Sequence, residues 1–150
     1  MQLSLTSFSP VRPPTFPSAA ASENARSAPD DAIGAEQLKV LVVDDDQDLA
    51  DVAEILLRSN GIEVVVAYSA TQALSLLEQD PSINAVFSDI MMPNITGLEL
   101  ARTIHDLYPE VRVVLTSGFT ALALLDNAGH SEPFVAKPYR IEKVIDLLRR

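Results

Sequence analysis

Acidic, hydroxyl and ammonium side chains stand just after, or at the end of, four short apolar runs that are predicted to be strands. In chain order they are Asp44, Asp45, Asp46, Asp89, Thr116, Ser117 and Lys137. The carboxyl ends of parallel strands meet at one edge of a sheet, and open α/β sheets bind ligands at that edge. We therefore expect these residues to converge, although they are far apart in the sequence.

Such a set of side chains has the chemistry needed for phosphoryl transfer to a carboxylate. Clustered carboxylates repel one another, and a hard divalent cation such as Mg²⁺ relieves that repulsion by accepting oxygen ligands. Asp89 can attack phosphorus and form an acyl phosphate. Lys137 and Mg²⁺ would neutralise the charge on the transferring group, and a hydroxyl could bond the attached phosphoryl oxygens.

Composition narrows the class of protein. The chain has 150 residues, no cysteine and a net charge of -10, so a disulfide framework is excluded and nucleic-acid binding through phosphate neutralisation is disfavoured. No apolar run is long enough to insert into a membrane. Residues 1–37 contain half of the 10 prolines and few large apolar side chains. They are predicted to be disordered, and residues 38–150 to form one domain.

Strand and helix patterns alternate five times across residues 38–150, which predicts a parallel α/β sheet covered by helices on both faces. The predicted strands are Lys39–Val43, Ile62–Ala67, Asn84–Ser88, Val111–Thr116 and Pro133–Ala136. Each is followed by a helical pattern. The first helix carries its apolar residues at Leu49, Val52, Ala53, Leu56 and Leu57, and the fourth is a short helix over Ala121–Asp126.

Four motifs in this order resemble the receiver domain of two-component response regulators. They are LVVDDDQDL at 41–49, FSDIMMPNITGLEL at 87–100, PEVRVVLTSGF at 109–119 and FVAKPY at 134–139. The resemblance implies a flavodoxin-like, doubly wound sheet in the order 2-1-3-4-5 with five helices in three α/β/α layers. The Ser-Gly-aromatic sequence at 117–119 is similar to receivers attached to hybrid histidine kinases.

Carried over residue by residue, the resemblance implies a role for each matching position. Asp89 becomes the phosphoacceptor, and Asp44 and Asp45 the acidic pair that binds Mg²⁺ together with the backbone carbonyl of Met91. Lys137 becomes the phosphate-binding lysine. The family would also have a cis peptide bond before Pro138 and an aromatic switch residue at Phe134.

The switch hydroxyl has two candidates. An ungapped match from Pro109 places Ser117 at the family's hydroxyl position, and Thr116 is its neighbour. Only one of two adjacent strand residues can face the site, because side chains alternate along a strand. Ser117 is the preferred candidate on this alignment, and Thr116 the alternative.

The expected function is therefore a signalling receiver rather than an enzyme with a separate substrate. It would take a phosphoryl group from a histidine kinase or histidine phosphotransfer protein, catalyse its own phosphorylation and dephosphorylation in the cytoplasm, and act on a downstream protein. No output domain follows the fifth helix, so a stand-alone receiver is expected.

Two other functions stay open from the residues alone. One is a phosphate-ester hydrolase of the haloacid dehalogenase type, since Asp44-x-Asp46 resembles that family's motif. The other is a receiver that binds a partner without being phosphorylated.

Overall fold

A computed structural model describes residues 37–118 and 131–150. Its five strands form one parallel sheet in the order β2-β1-β3-β4-β5, which confirms the predicted topology. The strands are β1 (Lys39–Val43), β2 (Glu63–Ala67), β3 (Ala85–Asp89), β4 (Arg112–Ser117) and β5 (Phe134–Ala136). Four of them differ from the predicted strands by a single residue at one or both ends, so Asp89 and Ser117 are the last residues of their strands rather than the first after them.

Four helices lie in the part of the chain that the structure describes. They are α1 (Gln47–Arg58), α2 (Ala70–Gln79), α3 (Gly97–Leu107) and α4 (Ile141–Arg149). The predicted helix over 121–126 and the predicted disorder of residues 1–36 fall outside the described residues. Within residues 37–118 and 131–150, no helix combines the length and the hydropathy that a membrane span requires.

The sheet has an apolar core on each face, because its strands are apolar on both sides. Leu41 and Val43 of β1 pack on the side covered by α2 and α3, whereas Val40 and Val42 pack on the side covered by α1 and α4. Alternate residues of one strand thus belong to opposite cores, as the pleat of a strand requires. This arrangement gives the three α/β/α layers that were predicted.

Side-chain caps fix the helix that follows each of the first three strands. Asp46 caps α1 by accepting a hydrogen bond from the backbone N–H of Leu49, and Ser69 caps α2. Thr96 and Glu99 form a capping box at the start of α3. These residues satisfy backbone donors that a helix start leaves unpaired. The loops at the carboxyl edge of the sheet are therefore short and closely defined.

The apolar face of α1 differs from the one its sequence pattern suggests. Ala50, Ala53 and Leu57 are buried. Leu49, Val52 and Leu56, which share the helical spacing, remain 37–50% exposed. The apolar stripe of α1 is therefore wider than the surface that the sheet and α4 cover, and part of it borders the functional edge described below.

At the opposite edge of the sheet, Lys39 lies between two carboxylates. Its Nζ is 2.7 Å from Asp80 Oδ2 and 3.3 Å from Glu63 Oε2. The hydrogen bond from Lys39, helped by two from Ser82, lowers the pKa of Asp80 from 3.8 to about 2. The contact ties the start of β1 to the end of α2 at the edge remote from the functional residues.

We expect the Asp80→Asn variant to have a lower melting temperature than the wild type at neutral pH. Because the pKa of Asp80 is lowered in the folded protein, its carboxylate stabilises the fold at pH values above the ordinary pKa of 3.8. This contribution is lost as the pH falls toward about 2. The difference in melting temperature should therefore shrink from about pH 4 to about pH 2. Melting curves over this range test the claim, with Asp106→Asn, an exposed carboxylate of α3, as the control. If the difference in melting temperature stays constant over this pH range, the ion pair between Asp80 and Lys39 is not its cause.

Candidate functional site

The side chains predicted to act together do meet at the carboxyl edge of the sheet. Asp44 directly follows β1, Asp89 ends β3 and Lys137 directly follows β5. Thr116 lies opposite Asp89 in the register of β3 and β4. The positions converge because β1 and β3 are neighbours, β4 follows β3, and β5 forms the end of the sheet.

Three carboxylates form a cluster that could hold a metal ion. Oxygen atoms of Asp44, Asp45 and Asp89 all lie within 4.8 Å of one another. Asp44 and Asp89 are buried, and Asp45 is exposed. Oxygen ligands at this spacing, one of them open to solvent, fit a hard divalent cation such as Mg²⁺, which keeps several waters when it binds.

Backbone groups hold two of these carboxylates in place. The N–H of Asp46 donates to Asp44 Oδ1 at 2.9 Å, and the N–H of Met91 donates to Asp89 Oδ1 at 3.4 Å. In each case the second oxygen, Oδ2, lies toward Lys137. One oxygen of each carboxylate is thus held by the loop that follows its strand, β1 for Asp44 and β3 for Asp89.

The Lys137 ammonium lies beside both buried carboxylates. Its Nζ is 3.4 Å from Asp44 Oδ2 and 3.7 Å from Asp89 Oδ2. The backbone N–H of Lys137 donates to the carbonyl of Ser117 at 2.9 Å, which fixes the lysine against the end of β4. The peptide bond between Lys137 and Pro138 is cis, as predicted.

The electrostatic environment of Asp89 opposes its ionisation. Burial raises the pKa of the Asp89 carboxyl, Lys137 acts in the opposite direction, and the charge of Asp44 raises the pKa further. A carboxylate that is costly to keep charged gains from a cation or from conversion to another chemical form. Perturbed carboxyls of this kind are typical of functional sites.

The two candidate hydroxyls lie on opposite faces of β4. Thr116, and not Ser117, lines the cavity beside Asp44, Asp89 and Lys137. Thr116 follows Val114 on the face of β4 toward α1 and α4, whereas alternation places Ser117 on the other face with Leu115. Which of the two hydroxyls acts as the switch stays a prediction, because a shift of one residue on a strand exchanges the faces.

The Thr116 hydroxyl is buried and has no hydrogen-bond partner among the described residues. Thr116 is 3% exposed, and its Oγ1 finds no hydrogen-bond acceptor or donor among residues 37–118 and 131–150. A buried hydroxyl without a partner costs free energy. Its position at the cavity therefore suits a group that binds there and supplies the missing hydrogen bond.

Two further predicted site residues lie near the edge in different surroundings. Met91 follows Asp89 by two residues, and its side chain is half exposed; that its carbonyl binds a metal stays a prediction. Phe134 is partly buried and packs against the core covered by α2 and α3. Its role as a switch residue also stays a prediction.

Close backbone packing supports the position of Asp89. Gly97, the first residue of α3, lies directly against the Asp89 carbonyl, and a Cβ at this position would collide with the carbonyl oxygen. The Gly97 N–H donates to the carbonyl of Ile90 at 2.9 Å. Only glycine allows this approach, so α3 fixes the backbone that carries Asp89.

A cavity of about 430 Å³ joins the charged residues to an apolar surface. Asp44, Asp89, Thr116 and Lys137 line one part of it, and α1 and the segment after β5 supply most of the rest. Its apolar lining includes Leu49, Val52, Leu56, Phe87 and Tyr139. The sequence analysis did not find this cavity; the signal available was the unusually wide apolar stripe of α1.

Comparisons with known proteins agree with this geometry. A putative NtrX-like response regulator from Rickettsia bellii is 31% identical over 117 residues, which cover 75% of this chain and 24% of the relative. The CAI-1 autoinducer sensor kinase/phosphatase CqsS from Vibrio cholerae is 36% identical over 106 residues, covering 67% of this chain and 15% of the relative. This chain thus corresponds to a small part of each of these longer proteins.

A solved structure extends the similarity to the fold. The crystal structure of a response regulator receiver domain protein from Clostridium thermocellum has 27% sequence identity and a TM-score of 0.67, covering 74% of this chain and 90% of the other. The family model for the response regulator receiver domain matches residues 40–149. Asp44, Asp45, Asp89 and Lys137 lie together at the sheet edge where they were expected. The chain belongs to the response regulator receiver domain family.

Proposed function

We propose that this chain is a phosphoacceptor that takes a phosphoryl group onto Asp89 from the phosphohistidine of a histidine kinase or histidine phosphotransfer protein. The observation that carries the proposal is the meeting of Asp44, Asp45 and Asp89 within 4.8 Å, with the Lys137 ammonium beside two of them. A structural role alone would not favour three acids at one point. The geometry instead supports transfer of a negatively charged phosphoryl group, whose charge the site would neutralise.

Mg²⁺ would be held by the oxygens of Asp44, Asp45 and Asp89, with the Met91 carbonyl as a further ligand. When bound, the ion would neutralise negative charge on the phosphoryl oxygens. The distances within the carboxylate cluster support this set of ligands.

In the transfer step, an oxygen of the Asp89 carboxylate attacks phosphorus. A bond forms between that oxygen and phosphorus as the bond between phosphorus and the histidine nitrogen breaks, and the electron pair of the broken bond stays on the imidazole. Lys137 lies close enough to the attacking carboxylate to stabilise the transferring group. The product is an acyl phosphate on Asp89.

The attached phosphoryl group would then bias the conformation of the domain. Its oxygens can accept the hydrogen bond that the Thr116 hydroxyl lacks. Lys137 can exchange its contact with Asp89 for a contact with the phosphoryl group. Both residues belong to the β4 and β5 side of the sheet. The domain would therefore change between two conformations at that side, and a downstream protein would bind there to one of them.

Family membership removes the haloacid dehalogenase alternative, in which the nucleophile would follow β1. The acidic composition, with 21 Asp and Glu against 11 Lys and Arg, disfavours direct contact with nucleic acid. One relative of this chain is named as a sensor kinase/phosphatase. We take that context as support for a phosphorylated histidine as the donor and for a signalling role in the cytoplasm.

Reaction with acetyl phosphate and Mg²⁺, followed by intact mass measurement of the wild type and of Asp89→Asn, tests the proposal. A gain of one phosphoryl group in the wild type alone supports it. The absence of any gain in the wild type would instead favour a receiver that binds its partner without phosphorylation.

The two hydroxyls can be separated by a matched pair of variants. We expect Thr116→Val to raise the free energy of unfolding of the unphosphorylated protein by about 1 kcal/mol, because it removes a buried hydroxyl that has no partner in the part of the chain that the structure describes. The same variant should lose part of the stabilisation that phosphorylation gives to the wild type. Ser117→Ala should retain that stabilisation.

Urea unfolding of each variant, with and without acetyl phosphate and Mg²⁺, measures both effects. A destabilised Thr116→Val would show that its hydroxyl already has a partner. If only Ser117→Ala loses the stabilisation that phosphorylation gives, the result supports Ser117 as the switch hydroxyl, as the alignment indicates.

A further inference from the structure

A second cavity, of about 260 Å³, lies at the amino edge of the sheet. It is bounded by the start of β4, the second half of α3, the end of α4 and the segment that leads into β5. Arg112, which lines it, is the first residue of β4, whereas Ser117 ends that strand at the carboxyl edge. A strand rises about 3.3 Å per residue, so roughly 17 Å separate the two ends. The cavity is therefore a different site from the one proposed for phosphoryl transfer.

Two side chains of opposite charge line this cavity without contacting each other. Arg112 and Glu132 are both partly buried. The side chain of neither residue forms an ion pair or a hydrogen bond with any residue in 37–118 or 131–150. A partly buried charge loses some of its hydration, and a bound partner of opposite charge recovers that cost. The pair is thus arranged to receive a ligand that carries both signs of charge.

The other groups around the cavity do not supply these partners. Arg150 also lines it, but its guanidinium donates to Asp146 Oδ2 at 2.6 Å and is engaged by its own helix. His105 and Ser131 add polar groups to the lining. Four aliphatic side chains form a wall beside them, namely Ala101, Val111, Val113 and Leu147. Within the described part of the chain, the cavity therefore offers a cation, an anion and an aliphatic surface.

We propose that this cavity binds a free α-amino acid with a small aliphatic side chain. The carboxylate of the ligand would contact the Arg112 guanidinium, whose fork of N–H donors matches the two oxygens of a carboxylate. Its ammonium group would contact Glu132, and its side chain would lie against the aliphatic wall. A simple anion would leave Glu132 without a partner, whereas a zwitterion satisfies both charges. The volume lies below the range of about 300–1,000 Å³ that drug-sized ligands occupy, which suits a smaller molecule.

L-Leucine and two analogues that each lack one charged group test the proposal. 4-Methylpentanoate keeps the carboxylate and the branched chain without the ammonium group, and 3-methylbutylamine keeps the ammonium group without the carboxylate. We expect L-leucine to bind the wild type at least about tenfold more tightly than either analogue, because a hydrogen bond to a charged group contributes at least that factor. Amide NMR titrations of the full chain give the three dissociation constants and show whether the signals of Arg112 and Glu132 shift.

Two neutral variants should change these affinities in a crossed pattern. Arg112→Gln should weaken the binding of L-leucine and 4-methylpentanoate by about tenfold and should not weaken that of 3-methylbutylamine. Glu132→Gln should weaken the binding of L-leucine and 3-methylbutylamine and should not weaken that of 4-methylpentanoate. Arg102→Gln and Glu110→Gln are the matched controls, because both residues are exposed and neither lines the cavity. Melting curves establish that all four variants are folded.

The outcomes decide this inference independently of phosphorylation. Equal affinities of the wild type for L-leucine and 4-methylpentanoate would overturn it in favour of a site for simple anions. A lack of saturable binding of L-leucine, or binding that all four variants retain, would also overturn it. A preference for L-leucine that both cavity variants lose and both control variants keep supports it, whether or not acetyl phosphate modifies Asp89.

Discussion

Acetyl phosphate and Mg²⁺ should add one phosphoryl group to the wild-type chain and none to Asp89→Asn. The expected loss is complete, because the amide of asparagine has no carboxylate oxygen that could form an acyl phosphate. Asparagine keeps the size of the side chain and one acceptor for the Met91 N–H. A failed reaction therefore reports on the loss of the carboxylate, as nucleophile and as proposed Mg²⁺ ligand, rather than on a collapsed site.

Intact mass measured over time gives the modified fraction directly. Asp48→Asn is the matched control: it removes an exposed carboxylate from the first turn of α1 that does not belong to the metal-binding cluster. It should react like the wild type. Chelation of Mg²⁺ should stop the reaction in both proteins. A phosphoryl group that is still gained by Asp89→Asn would move the nucleophile to another residue, and Asp44 would be tested next.

Lys137→Ala should slow phosphorylation of Asp89 on the order of 10²–10³-fold, the usual effect of removing one group that stabilises charge in a transition state. The ammonium lies 3.7 Å from the attacking carboxylate, so its loss removes positive charge where the transferring phosphoryl group would arrive. A second effect acts in the same direction. Without Lys137 the pKa of Asp89 rises further, and less of the carboxylate is ionised.

The rate constant for modification by acetyl phosphate, taken from quenched samples by intact mass, measures this effect. Lys143→Ala removes an exposed lysine from α4 and is the matched control. Recovery of the Lys137→Ala rate toward the wild-type rate at higher pH would trace the defect to ionisation of Asp89. A rate equal to the wild type at neutral pH would exclude Lys137 from the reaction.

The sequence by itself predicted a parallel α/β sheet and the position of the acids, whereas the order of the strands was implied by the family resemblance. Short runs rich in valine, such as Lys39–Val43, can bury both faces only in a sheet covered on two sides, and each run ends where a polar residue begins. The sequence alone therefore places Asp44, Asp89 and Lys137 at one edge. The cis bond before Pro138 was likewise predicted, from the family resemblance.

Only the tertiary structure decided which hydroxyl faces that edge. Thr116 and Ser117 are adjacent, and side chains of adjacent strand residues point to opposite faces. The apolar pattern of β4 places the strand only to within one residue, so it cannot show which of the two hydroxyls lies on the face of the cavity. The register that sets Thr116 opposite Asp89 is a property of two strands paired together, and neither strand contains it alone.

The tertiary structure also decided how much of α1 is covered. The helical spacing of Leu49, Val52, Ala53, Leu56 and Leu57 predicts an apolar face but does not identify its neighbours. In the fold, Ala53 and Leu57 meet the core while Leu49, Val52 and Leu56 border the cavity. Periodicity determines which side chains share a face of a helix; how far the sheet and neighbouring elements cover that face depends on their packing in three dimensions.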